Sequence, residues 1–134
     1  MVRGVGIDLV TVSRIARTIE RFGARFTEKI FTPGERAYCE TYDHPAQHYA
    51  ARFAAKEAIL KALGVPKGLS WHELEVVRTH EQRLPRIALS GEAARAAAAL
   101  GVTALHLSLS HEGDTAAAFV VADGPQQLPT DEEG

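Results

Sequence analysis

Apolar positions alternate with small or polar ones from Arg3 to Val10, and the period changes at about Ser13. In RGVGIDLV, Val5, Ile7 and Leu9 fall on one side of an extended chain and Gly6, Asp8 and Val10 on the other, which predicts a short strand. Beyond Ser13, Ile15, Ile19, Phe22, Phe26 and Ile30 recur at helical spacing, with Gly23 placed to divide the segment. Thr32-Pro33-Gly34-Glu35 predicts a helix start: Thr32 caps, Pro33 takes the first turn and Glu35 closes a capping box. That helix should end near Tyr42. Pro45 opens the longest helical segment, running to about Leu63 with Gly64 as its stop.

Strand character returns at 70–79 and 86–89, joined by a polar connection. Residues 91–100 (GEAARAAAAL) predict an alanine-rich helix ending at Gly101. Two further strands, 104–111 and 115–123, flank a three-residue loop, Glu112-Gly113-Asp114, and so predict a hairpin. Helices and strands interspersed, with a hairpin rather than a crossover at the end, predict an α+β fold. The expectation is a single compact domain, 1–123, with an antiparallel sheet packed on a long helix. Residues 124–134 (GPQQLPTDEEG) lack periodicity and are expected to form an acidic, flexible tail.

Composition narrows the function classes. A chain of 134 residues suits one domain, and 46% hydrophobic with 24% charged residues is ordinary for a globular protein. A net charge of −2 argues against bulk attraction to nucleic acid or membrane. Cys39 is the only cysteine, which excludes an intrachain disulfide and a multi-cysteine zinc site. The early apolar stretch is broken by Gly4, Gly6 and Asp8, so it reads as neither signal peptide nor anchor. No run approaches the roughly 18–20 apolar residues of a membrane span. The expected location is therefore the cytoplasm.

Candidate chemistry begins in RFAAKEAILKALG at 52–64. At about 100° per residue, Ala46, Ala50, Phe53 and Leu60 share a helix face, with Glu57 near its middle and Lys61 one turn on. An ionised carboxylate among apolar neighbours needs a cation, a metal or hydrogen bonds. Two readings stand: an i, i+4 ion pair with Lys61, worth ~0.2–0.5 kcal/mol, or a functional carboxylate. Asp8, two residues past Gly6, either caps the next helix, faces solvent, or meets a phosphate or metal. Two hard carboxylates completed by phosphate oxygens and water suit Mg²⁺. In LHLSLSHE at 105–112, one face is core and one polar, and His111 and Glu112 close the strand. Those two residues are equally compatible with an ordinary half-solvated strand end. Arg14, Arg17, Arg21, Arg25 and Lys29 form a basic stripe, read as a solvated face or a surface for an acidic partner.

GIDLV at 6–10, RFAAKEAILKALG at 52–64 and HLSLSHEGDTAAAFVV at 106–121 together resemble the holo-[acyl-carrier-protein] synthase family of 4′-phosphopantetheinyl transferases. The middle block carries the family signature as Phe53, Lys56, Glu57, Ala58, Lys61, Ala62 and Gly64. The resemblance implies transfer of phosphopantetheine from coenzyme A to a serine of apo-acyl carrier protein, with release of adenosine 3′,5′-bisphosphate, for fatty acid biosynthesis. It implies Asp8 and Glu57 as Mg²⁺ ligands and Lys61 near the pyrophosphate. Arg52 and His106 match coenzyme A positions, with Pro85 in the same set. Glu57, Glu112 or a metal-bound water would take the serine proton. Arg14, Arg21 and Arg25 would dock the acidic carrier. A homotrimer with active sites shared between subunits is also implied.

The match thins in DHPAQHYA before the long helix, where some relatives carry several basic residues near the 3′-phosphate of coenzyme A. Here only His44 and His48 are present. The connection EQRLPR keeps Pro85 but lacks the glycine that often precedes it in relatives. Two rivals remain: a non-catalytic coenzyme A or nucleotide-binding module that recruits an acidic protein, and a transferase for carrier domains of polyketide or peptide synthases.

Overall fold

A computed structural model describes residues 1–65 and 68–126. In chain order the elements are β1 (Val2–Thr11), α1 (Val12–Phe22), α2 (Ala24–Ile30), α3 (Pro33–Cys39) and α4 (Pro45–Leu63). A 3₁₀ turn (Trp71–Glu73) follows, then β2 (Leu74–Val77), β3 (Arg86–Leu89), α5 (Gly91–Ala99), β4 (Ala104–Glu112) and β5 (Thr115–Asp123). The strands form two antiparallel sheets, β1-β5-β4 and β2-β3. The long helix α4 packs across β1 and β5, so the fold is α+β with an antiparallel sheet laid on a helix.

The alternation expected in β1 is present, but its apolar side is not the core side. Val5, Ile7 and Leu9 are 55%, 57% and 66% exposed, whereas Gly6 is buried against α4. The reason is steric. A Cβ on Gly4 would stand 2.0 Å from the Ala62 carbonyl oxygen, and one on Gly6 2.0 Å from that of Ala58. Only a strand without side chains at these two positions can come this close to a helix. The helix answers with its own small residues: Ala54, Ala55, Ala58 and Ala62 are buried in the core with Ala118, Val120 and Ala122 of β5.

Local signals elsewhere are followed closely. Gly23, at φ 56, divides α1 from α2. The capping box of α3 is complete: the Glu35 amide donates to Thr32 Oγ1 at 3.1 Å, and the Thr32 amide donates to Glu35 Oε1 at 2.9 Å. This helix ends at Cys39 rather than near Tyr42, because the chain tightens into turns. The Thr41 amide donates to the Tyr38 carbonyl and the Tyr42 amide to that of Cys39. The segment expected as strand from residue 70 starts with the 3₁₀ turn, and pairing begins only at Leu74. The hairpin loop is two residues, since Glu112 pairs with Thr115. Gly113 has φ 56 and Asp114 does not have positive φ, as a type II′ turn requires. From residue 127 onward the expected tail lies outside the described residues.

Candidate active site

Close packing of β1 on α4 carries Asp8 onto the turn of helix that bears Glu57 and Lys61. Lys61 Nζ donates to the Ile7 carbonyl at 2.9 Å and to Asp8 Oδ1 at 3.1 Å. The lysine therefore pairs across elements with Asp8, and no ion pair between Glu57 and Lys61 forms among the described residues. Nor does Asp8 cap α1. That role falls to Asp114 of the hairpin, whose Oδ1 accepts from the Ser13 amide at 2.9 Å while its carbonyl accepts from Val12 at 2.8 Å.

Asp8 and Glu57 line one cleft of about 420 Å³, together with Val10, Arg14, Ile15 and Phe53. Burial, followed by the negative charge of Asp8, pushes the Glu57 carboxyl above its usual range, and Lys61 offsets only part of this. Two like charges facing one partly desolvated space form a site for a cation. Among the described residues no group of three or more His, Cys, Asp or Glu side chains could hold a metal by itself. A cation held by this pair would thus complete its shell from water and ligand oxygens, as Mg²⁺ commonly does. The donor set fits that ion.

Glu57 is not the most deeply placed charge of α4. Arg52 is 2% exposed and Lys56 fully buried. Lys56 Nζ lies 2.8 Å from Glu35 Oε1 and donates to the Trp71 and Leu74 carbonyls, each at 2.9 Å. Glu35 Oε2 accepts from the Val76 amide at 2.9 Å. This network ties α4 to α3 and to the start of β2. Sequence reasoning missed it, although α4 shows a usable signal: apolar residues occur on every side of it, so a charge there needs a partner. Cys39 is buried too, and burial pushes its thiol up to about 12, which leaves it protonated and unreactive.

The other expected residues are dispersed. Arg52 lies on the opposite side of α4 from Glu57, in a separate pocket with His111. His106, near the far end of β4, is 3.8 Å from Asp123 on the outward face of the sheet. Glu112 is exposed at the strand end and lines neither of these clefts. Pro85 is half-buried just ahead of β3 and likewise lines neither. Arg14 reaches the Asp8–Glu57 cleft, Arg21 lies over the Phe22 ring at 5.1 Å, and Arg25 lines a shallow recess with Phe22 and Lys29. All three arginines are exposed, and none is in an ion pair among the described residues.

A family profile described as the 4′-phosphopantetheinyl transferase superfamily matches residues 4–120. The chain belongs to this superfamily. Among its relatives, a holo-[acyl-carrier-protein] synthase of Desulforudis audaxviator is 48% identical over 128 residues, spanning 95% of this chain and 97% of the relative. The crystal structure of holo-[acyl-carrier-protein] synthase from Neisseria meningitidis matches with a TM-score of 0.82 at 33% identity, covering 92% of this chain and 99% of that one. The Helicobacter pylori synthase in complex with coenzyme A matches with a TM-score of 0.76 at 32% identity, covering 89% and 99% respectively. Within the superfamily segment fall both the Asp8–Glu57–Lys61 cluster and the basic stripe of α1 and α2.

Proposed function

We propose that the protein is a holo-[acyl-carrier-protein] synthase that moves 4′-phosphopantetheine from coenzyme A to a serine of apo-acyl carrier protein, with Mg²⁺, in the cytoplasm and for fatty acid biosynthesis. The observation that carries this reading is the meeting of Asp8 and Glu57 at one cleft whose wall includes Arg14, with Lys61 held on Asp8. In the reaction the serine oxygen forms a bond to the β-phosphorus of coenzyme A. The bond from that phosphorus to the bridging oxygen breaks, and adenosine 3′,5′-bisphosphate departs. Positioning and charge neutralisation dominate such transfers. A magnesium ion held by Asp8 and Glu57 would supply Lewis-acid neutralisation of the diphosphate. Lys61, held beside Asp8, adds a fixed positive charge near the departing oxygens. Of the two carboxylates considered for the serine proton, Glu57 lines the cleft and Glu112 does not, which favours Glu57.

Arg14, Arg21 and Arg25 would receive the acidic carrier and lead its serine toward the cleft. Arg52 and His106 stand apart from the carboxylate pair in one chain, and we assign their contribution, like that of Pro85, to coenzyme A bound between subunits of a homotrimer. The outward apolar face supports that assembly: Ile7 pairs in register with Phe119, which is 43% exposed. No helix of the described residues is long and apolar enough to cross a membrane.

The test is to combine the protein with apo-acyl carrier protein, coenzyme A and Mg²⁺ and to weigh the carrier. A gain of one phosphopantetheine that disappears with chelator is expected. No gain with any carrier, including domains of polyketide or peptide synthases, would replace the transferase by a binding module.

A further inference from the structure

Helix α1 begins without a cap of its own. Thr11, the residue before it, makes no side-chain hydrogen bond to the first turn, and that turn carries no acidic residue. Strand β1 runs straight from Thr11 into Val12, so no linker supplies a cap either. The first amides are satisfied instead from the β4–β5 turn, 101 residues away in the chain. Thr11 pairs in register with Thr115, which sets Asp114 over the helix start. The Val12 amide donates to the Asp114 carbonyl at 2.8 Å and the Ser13 amide to Asp114 Oδ1 at 2.9 Å. Ser13 Oγ donates to Asp114 Oδ2. One residue thus takes up three donors, and both of its carboxylate oxygens are committed to Ser13. Asp114 joins no ion pair among the described residues.

The next residue is Arg14, the cation in the wall of the Asp8–Glu57 cleft. Its turn of helix is gripped from two sides by the same hairpin. Outside, Asp114 holds Val12 and Ser13. Inside, Ile15 is 5% exposed and shares a core cluster with Ala116, two residues beyond Asp114. Thr18 Oγ1 also donates to the Arg14 carbonyl at 2.9 Å. An arginine side chain is long and rich in rotamers, so a fixed backbone beneath it reduces what must be ordered when an acidic partner binds. Without the clamp the opening amides would turn to water and the first turn would fray.

We propose that Asp114 is a positioning residue for phosphopantetheine transfer: by capping α1 it aims Arg14 along the cleft, and so sets the affinity for the acidic carrier but not for coenzyme A. This role rests on the proposed function, which makes the carrier a substrate. Asp114 itself lines neither the carboxylate cleft nor the pocket that holds Arg52, so it acts through Arg14 and not on the reacting atoms.

The experiment is steady-state transfer by the intact protein with Mg²⁺, varying apo-acyl carrier protein at saturating coenzyme A and then the reverse. Asp114→Ala should raise the KM for carrier about fivefold, the ordinary effect of a lost cap expressed as a ratio. The KM for coenzyme A and kcat should stay as they are, which also shows that the variant folds. Asp114→Asn keeps an acceptor for the Ser13 amide and should remain within about twofold of wild type. In Arg14→Ala protein, adding Asp114→Ala should raise the carrier KM no further. The difference should also fade as salt is added, because it is expressed through an exposed charge. A rise that persists without Arg14 or at high salt would make Asp114 a stabilising cap and nothing more. Equal losses for both substrates, or Asp114→Asn as poor as Asp114→Ala, would overturn the role in the same way. Wild-type protein that modifies no carrier would remove the transferase reading and this role together, whereas the other contrary results remove the role alone.

Discussion

Lys56 and Glu57 are adjacent in the chain and face opposite electrostatic problems. Lys56 is sealed from water with Glu35, and burial lowers its proton affinity more than the carboxylate restores it. Removing one partner of such a pair strands the other charge, so Lys56→Met should cost about 3–5 kcal/mol in denaturant unfolding. A loss below about 1 kcal/mol would show that the pair is not holding α3, α4 and β2 together. Glu57 instead faces the cleft with its carboxyl pushed upward by burial and by Asp8. Its ionised form is strained in the folded state, so Glu57→Gln should raise the thermal midpoint of the metal-free protein at pH 7 while abolishing transfer. The sign follows from linkage: the penalty exists above the raised folded-state value and is relieved as pH falls through it, so the two proteins should converge in acid. A less stable variant at pH 7 would refute this account of the site.

The pairing of β1 with α4 depends on two missing side chains. Gly6→Ala drives a methyl group into the Ala58 carbonyl, a backbone atom that cannot rotate away. A loss of about 3 kcal/mol, the upper end of ordinary overpacking, is expected in unfolding experiments, together with reduced turnover as Asp8 moves off Lys61. Wild-type stability in this variant would mean that the helix does not sit on the strand as described. On α1, whose start is clamped by Asp114, reversal of charge at Arg14 or Arg21 should slow carrier association about tenfold at low salt, with the difference shrinking as salt is added. Stopped-flow association rates that ignore both changes would remove α1 from the docking surface.

At the scale of the whole molecule, an apolar sheet face left open to water calls for a neighbour. Ile7→Lys should reduce the particle mass measured by light scattering and also lower turnover, although Asp8, Glu57 and Lys61 remain in place. A fully active monomer would argue that each chain carries a complete site. Much of this architecture was legible beforehand where the cause is local. Helix α4 runs between Pro45 and Gly64, and the capping box opens α3, because caps and turns act within a few residues. The pairing Lys56–Glu35 and the capping of α1 by Asp114 were not legible, since each joins segments that only the packing of separate elements brings together.

From sequence alone came the periods, the stops, the superfamily and the residue types able to manage a diphosphate, all of which are written into short stretches of chain. Which side of β1 is covered was decided only in three dimensions. Alternation distinguishes two faces but cannot say which one meets a helix, and here backbone approach at Gly4 and Gly6 outweighed the burial of Val5, Ile7 and Leu9. The same approach sets Asp8 beside Lys61 and leaves the larger side chains facing outward.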